Sequence, residues 1–585
     1  MSPEASARDD RGRRVVVVSR RGRFGVAQPL FDFDPQVPIA KGSAKVGPGR
    51  MALAEIGRGG ARLIRELGSP ERAAEVVEAL LLDRGLERGF GDRVDSEAAR
   101  AATAADDDRA RRGLSDLPTF TVDPATARDF DDAVSARSED GGVRLWVHIA
   151  DVAAHVRPGT ALDTEAYARG NSTYVPGAVE PMLPEALSAD ACSLAPGVPR
   201  LAVTAEVEMT GDGAARSASF YRSRIRSDAR LDYDQLDEIF AGRARPPVAI
   251  ARPLELARTV AAALAERRPP SALSVTGSEP VFEFEAGSVV GSREVAQTEA
   301  HRLIEQLMIL CNGQVATLLE RRQIPTLYRV HENPEPQRVS LLAEQLSALG
   351  VPTPPIPETF GPSEAADLVG EASRLVAAEG RRRGHGLQAY TALVLRSLKQ
   401  AYYSDRNLGH AGLGSPAYAH FTSPIRRYPD LVVHRGLLAA IGAGEEAPER
   451  AAVRAAGVSC SDRERDAVRI ERDADDVCAA FLLQRELLES GWERDFEGEV
   501  SGVVGAGAFV RFAGELGESY EGFLPARLLR GEYYELNETE TALVGRRSGN
   551  AVRLGDPVDV RVDSVDAPRG RVDLRPAAEV EGGRP

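Results

Sequence analysis

Long apolar runs, paired cysteines and lysine are what this chain has least of. No apolar stretch approaches the roughly 18 residues that a bilayer-crossing helix needs, which speaks against an integral membrane protein. The four cysteines, Cys192, Cys311, Cys460 and Cys478, are scattered and form no CxxC pair. Zinc ribbons and redox dithiols are therefore unsupported, and buried free thiols in a reducing compartment are expected. The opening MSPEASARDDRGRR has no apolar signal core, so a cytoplasmic location is expected. Lysine stands only at Lys41, Lys45 and Lys399; the other basic side chains are arginine. Arginine suits bidentate phosphate contacts, although a GC-rich genome gives the same bias.

What is present is a chain of 585 residues with 43% hydrophobic and 28% charged residues, which reads as soluble, globular and divided into about three to five domains. A net charge of −15 argues against a general nucleic-acid coat. It leaves room for a local basic channel.

Residues 1–10 read as a disordered tail. RGRRVVVVSRRGRFGVAQPL, with six arginines from Arg11 to Arg23, predicts a β-hairpin. Residues 11–68 then fit a small barrel of the OB or cold-shock kind. A plain β-domain with a solvated charged face fits them equally well. Ser69-Pro70 predicts a helix start within a helical linker over 69–116. Strand-like TFTV and a hairpin at SEDGG open a large domain over 117–491, whose last helix is predicted to run from Ser461 to Ser490. Five short strands within 492–577 predict a second barrel, and 578–585 a tail.

Asp123, Asp129, Asp131 and Asp132 put four carboxylates within ten residues. Pro124 places them on a loop between strands. Crowded carboxylates raise one another's pKa, so a fold keeps them when cations neutralise them. Oxygen-only ligands favour Mg²⁺ or Mn²⁺. Two ions about 3.5–4 Å apart can serve an in-line phosphoryl displacement. A solvated acidic loop is the plainer alternative.

In AYAHFTSPIRRYPDLVVHR, Ser423-Pro424 predicts a helix start that aims free N–H groups, Arg426 and Arg427 at one anion. An arginine pair bridged to nearby acids is the alternative. Glu471, on a helical stretch, is a further candidate carboxylate. His148, His331, His420 and His434 lack ligand spacing and read as hydrogen-bonded structural residues.

Together, DPATARDFDDAV, WVHIADVAAHV, RGNSTYVPGAVEPMLPEALSADACSL, AHRLIEQLMILCNGQVA, LYRVHENP and YAHFTSPIRRYPDLVVHR closely resemble the ribonuclease II and ribonuclease R family of RNB-domain exoribonucleases, from about Leu117 to Arg575. The resemblance implies an α+β multidomain fold, an RNB catalytic domain flanked by OB-fold barrels, cold-shock-like at the amino end and S1-type at the carboxyl end. It implies hydrolytic, processive 3′-to-5′ degradation of single-stranded RNA to nucleoside 5′-monophosphates by a monomer using two Mg²⁺ (or Mn²⁺) ions. It further implies that Asp123, Asp129, Asp131 and Asp132 bind metal and that Asp131, Arg426 and Glu471 are catalytic. Arg426 would also contact RNA, as would Tyr174 at the 3′-terminal nucleotide and Tyr233 and Phe282 by base stacking, with Phe284 an alternative register for the last. Before Leu117 there is room for one small barrel where the family has a pair. A non-catalytic RNA-binding protein built on a decayed nuclease domain is the rival reading.

Overall fold

The computed structural model describes residues 12–577, apart from 23, 33, 87, 104–110, 140, 275–276, 516 and 530–531. The tails expected at 1–10 and 578–585 lie outside the described residues.

The arginine-rich amino-terminal segment forms the middle of a five-stranded antiparallel sheet. Its strands run, in spatial order, Val37–Pro38, Phe24–Pro29, Arg13–Arg21, Met51–Gly57 and Gly60–Gly68. The two edges meet where Ile39 bridges Ala61 and the Ala40 N–H donates to the Ala61 carbonyl at 2.9 Å, so the sheet curls on itself. The valine run is continuous because both faces are covered. Val16 and Val18 fill the sheet's own small core. Val15 points to the other side, against the helix Ala73–Asp83. That helix starts later than Ser69-Pro70 predicts: Arg72 is its cap residue, and Glu75 turns back to accept the Ser69 N–H.

The central sheet has seven strands in the order Ala229–Asp232, Phe120–Asp123, Asp132–Glu139, Gly142–Ala150, Pro199–Thr210, Ala215–Arg226 and Arg112–Gly113. Its outermost strands run parallel to their neighbours and the inner ones antiparallel. Apolar side chains of this sheet share one large core with the helices Ala251–Glu266, Glu299–Arg321 and Tyr428–Ala440. Val94 and Ala98, on the helix Asp92–Thr103, belong to the same core.

The last helix runs Arg450–Ser490, 41 residues and so about 60 Å, and starts eleven residues before the predicted Ser461. Ser461 is not a cap. Its hydroxyl donates to the Gly457 carbonyl at 2.7 Å and accepts the Tyr403 N–H at 2.9 Å, a tertiary contact inside the helix. The carboxy-terminal half of this helix is a spine. Ile470, Val477, Leu483 and Leu487 pack in one core with Val15 and Leu53 of the first sheet and Phe496, Val510 and Phe512 of the carboxy-terminal barrel.

The five strands predicted after Trp492 close into a barrel: Asp495–Val504, Gly507–Ala513, Ser519–Pro525, Arg571–Pro576 and Pro557–Asp566. A three-stranded sheet, unread in the sequence, is inserted at Tyr534–Leu536, Ala542–Gly545 and Ala551–Arg553. Val500, Val503 and Ala508 of the barrel share a core with the helices Pro336–Ala348, Pro362–Arg383 and Leu387–Ser397. Arg569 Nε donates to the Leu30 carbonyl at 2.6 Å, tying barrel to first sheet. Among the described residues no helix is long and apolar enough to cross a membrane. All four cysteines are free and buried.

Candidate active site

Asp123 is the last residue of one central strand and Asp132 the first of the next, with Asp129 and Asp131 on the loop between them. Pro124, which cannot donate to a ladder, ends the first strand, and the Ala127 N–H closes a turn on the Pro124 carbonyl at 3.0 Å. Phe130 anchors the loop. Its ring is buried, its N–H donates to Ser193 Oγ at 3.0 Å, and its carbonyl accepts the Leu194 N–H at 2.9 Å. Asp129 and Asp131, on either side of this anchor, engage different partners.

Asp131 is buried, and its Oδ1 accepts the Ile425 N–H at 2.9 Å. Its Oδ2 stands 3.6 Å from Arg426 Nε. The segment carrying these partners departs from the predicted helix start. The helix begins at Tyr428, with Pro429 in its first turn, and Ser423–Arg427 forms a tight turn in which the Ser423 carbonyl accepts the Arg427 N–H at 3.0 Å. The N–H groups this turn frees are taken by the protein's own carboxylates: Ile425 by Asp131, and Ser423 by buried Asp430 at 2.8 Å. The two arginines do not share a target. Arg427 donates to Asp430 at 2.7 Å, whereas the Arg426 side chain is 45% exposed. The predicted pair thus resolves into one buried ion pair and one guanidinium left open.

Tyr174 links two further candidates. Its phenol donates to Asp129 Oδ2 at 2.9 Å, and its N–H donates to Glu471 Oε1 at 2.9 Å from the long helix. Tyr233 opens the helix Tyr233–Phe240 and stacks on His301, with ring centroids 3.9 Å apart and planes 10° from parallel. Its neighbour Asp232 pairs with Asp123 across the sheet, and burial, then the charges of Asp132 and Asp123, push its phenol up. Phe282 and Phe284 pack, half-buried, on the core containing Val175 and Ile470. Only Phe284 covers Gly177, at the turn of the hairpin that bears Tyr174. The structure therefore joins Phe282 to this network through packing alone.

The electrostatics are those of a buried acid cluster that nearby arginines compensate only in part. Burial, then Asp132, raises Asp123 to about 8. Burial raises Asp131 well above the ordinary carboxylate range, against the opposing pull of Arg426 and the Ile425 N–H. Asp132 is raised to about 6 by burial that outweighs Arg426 and Arg427. Glu471 is raised by burial, against the Tyr174 N–H. Asp123 Oδ2 and Asp131 Oδ2 are buried without a hydrogen-bond partner. Unpaired buried acceptors are costly, and hard cations satisfy them. Among the described residues, however, no three acid, imidazole or thiol groups are drawn into a closed ligand shell.

Some contributors were not singled out in the sequence. Asp430 sits three residues after Arg427, and that spacing on a helical first turn is the signal that was available. His301 lies 68 residues from Tyr233, and no local pattern joins them. The four histidines set aside in the sequence are hydrogen-bonded: His148 to Thr204, His331 to the Gly412 N–H, His420 to Tyr403 and His434 to the Phe421 carbonyl.

A family model described as the RNB domain matches residues 111–443, and one described as the S1 RNA binding domain matches 493–575. Ribonuclease R of Vibrio parahaemolyticus is 37% identical over 479 residues, covering 79% of this chain and 56% of that protein. The chain therefore spans about half the length of that relative. Ribonuclease R of Aquifex aeolicus is 35% identical over 533 residues, covering 89% of this chain and 73% of that one. Among solved structures, Mycoplasma genitalium RNase R in complex with ribose methylated single-stranded RNA has the same fold, with a TM-score of 0.86 at 24% identity over 97% of this chain and 90% of that one.

Proposed function

The chain belongs to the ribonuclease R family of RNB-domain proteins, and from that premise we propose that it is a hydrolytic, processive 3′-to-5′ exoribonuclease that releases nucleoside 5′-monophosphates from single-stranded RNA. The observation that carries this reading is the meeting of Asp131 and Arg426. A buried carboxylate with one unbonded oxygen faces, at 3.6 Å, a guanidinium open to solvent. That pairing suits a phosphodiester held between a cation and an arginine.

In this reading Asp123, Asp129, Asp131 and Asp132 hold two Mg²⁺ (or Mn²⁺) ions. The all-oxygen donor set, the two orphaned oxygens and the raised carboxyl pKa values fit such ions. Bound there, they would activate the attacking water and stabilise the leaving oxygen. Arg426 steadies the scissile phosphate and offsets charge that builds during the reaction. Glu471 supplies a further catalytic carboxylate and fixes the Tyr174 backbone. Tyr174 holds the 3′-terminal nucleotide, and Tyr233 and Phe282 stack on bases without choosing among them. Residues 117–491 form the catalytic unit in this scheme. Residues 11–68 and 492–577 steer single strands toward it, and 69–116 connect the first barrel. The protein acts as a cytoplasmic monomer.

The test is incubation of purified protein with 5′-labelled oligo(A) and Mg²⁺. Conversion of full-length RNA to a short 5′-labelled end product with little intermediate, and nucleoside 5′-monophosphates detected by chromatography, are expected. Retarded but uncut RNA would instead identify a non-catalytic RNA-binding protein, and release of inorganic phosphate a phosphatase.

A further inference from the structure

The turn that brings Arg426 and the Ile425 N–H to Asp131 is held together by its own neighbours. Asp430 accepts the Ser423 N–H at 2.8 Å, and His434 Nε2 donates to the Phe421 carbonyl at 2.8 Å while its ring stacks on Phe421 at 4.2 Å. Both partners lie on the helix Tyr428–Ala440, directly after the turn, so residues 421–434 form one closed unit. Those contacts fix the shape of the unit and not its place relative to Asp131.

Its place is set from outside. On the downstream side the Ser172 N–H donates to the Arg426 carbonyl, and the Tyr428 N–H to the Gly170 carbonyl, each at 2.9 Å. On the upstream side stands Asn312. It lies on the helix Glu299–Arg321, is 2% exposed, and is flanked there by fully buried Cys311, Val315 and Ala316. Its Oδ1 accepts the Phe421 N–H at 2.9 Å, and its Nδ2 donates to the Tyr418 hydroxyl at 3.0 Å. A primary amide on so apolar a helix face is tolerated because both ends are bonded, and both bonds go to the extended segment that enters the turn.

We propose that Asn312 is a positioning residue for the reaction. By gripping the Phe421 backbone from the neighbouring helix, it sets where Arg426 and the Ile425 N–H stand against Asp131. The inference rests on the nuclease reading above. Loss of the grip loosens the upstream end of the turn, which is otherwise held by the Arg329 N–H on the Tyr418 carbonyl and by Tyr403 on His420. Misplacement of a charge-stabilising group by about 1 Å costs up to about a hundredfold in rate. Tyr418 receives only the second bond, so its hydroxyl is dispensable to the grip.

The experiment compares kcat and KM on labelled oligo(A) for the native chain and for Asn312→Ala, Tyr418→Phe, Arg426→Ala and the Asn312→Ala/Arg426→Ala double variant. Asn312→Ala is expected to lower kcat about 10- to 100-fold with KM within about threefold, and Tyr418→Phe to stay near native. In the Arg426→Ala background, Asn312→Ala is expected to cost clearly less than it does in the native chain, because the part of its effect that passes through Arg426 is already lost. Native-like kcat in a folded Asn312→Ala protein, or factors that multiply in the double variant, would overturn the proposal. If Asn312→Ala does not fold, Asn312→Asp decides. It keeps the acceptor for the Phe421 N–H and is expected to retain kcat; a loss as large as that of Arg426→Ala would refute the grip. A native chain that leaves RNA intact would overturn the nuclease reading itself, a result separate from any of these.

Discussion

Asp131 and Ile425 are 294 residues apart in the chain, yet a carboxylate oxygen of one accepts the backbone N–H of the other at 2.9 Å. This bond joins the acidic loop of the central sheet to the turn bearing Arg426. It uses one oxygen of Asp131 and leaves the other unbonded. In the proposed reaction, structure and chemistry are divided between the two oxygens of one side chain.

Asp131→Asn tests that division. The amide keeps an oxygen for the Ile425 N–H but removes the charge. Hydrolysis of oligo(A) is expected to fall by on the order of a thousandfold or more, while gel-shift affinity for RNA stays near native. Without added metal the variant should melt no lower than the native protein, because it no longer buries a carboxylate that burial disfavours.

Divalent metal should stabilise the fold. An ion that binds only the native state at a hundred times its Kd adds about 2.7 kcal/mol. Differential scanning fluorimetry in EDTA and in millimolar Mg²⁺ should therefore show a higher Tm with Mg²⁺ for the native chain. The rise should vanish in an Asp123→Asn/Asp131→Asn variant.

Tyr174 has two separable functions, a hydroxyl on Asp129 and a half-open ring. Tyr174→Phe should retain RNA affinity, since the ring face survives. Tyr174→Ala should lose about 1–3 kcal/mol of binding to a single-stranded 3′ end, measured by fluorescence anisotropy in EDTA on the Asp131→Asn background. Equal losses in the two variants would show that the hydroxyl, and not the ring, matters.

Away from the site, Asp83 gives a pH signature. It is buried, accepts the Val15 N–H at 2.7 Å, and is raised by burial from 3.8 to about 6. Between those values the folded state binds the proton more tightly than the unfolded chain, so this group's contribution to stability falls as pH rises. The contribution is full below about pH 3.8 and lost above about pH 6, a difference of about 3 kcal/mol. Asp83→Asn keeps an acceptor for Val15 and should remove this component. Denaturant titrations should show its advantage over the native chain growing from pH 4 to pH 6 and then levelling off.

Local pattern carried much of the architecture. Pro124 and the apolar strands around it located the acidic loop, and the alternation after Trp492 located the five barrel strands. Signals failed where a residue's local preference was overridden by a distant partner. Ser461 reads as the start of the last helix but bonds Tyr403 from within it. Ser423-Pro424 reads as a helix start, but Asp131 and Asp430 take the N–H groups it frees. Adjacent arginines read as one cationic pair, and only the fold separates the ion-paired Arg427 from the open Arg426. The strands from Tyr534 to Arg553 are three or four residues long, too short for alternation to reveal them.

The apolar side of Ile470–Leu487 lies against the first sheet and the carboxy-terminal barrel at once. These modules are consequently not beads that can be removed one at a time. A chain cut before Trp492 would retain the helix while stripping its cover, and the greasy remnant would seek other copies of itself. Any drift in the sequence of one barrel must likewise be accommodated by a surface that the other also depends on.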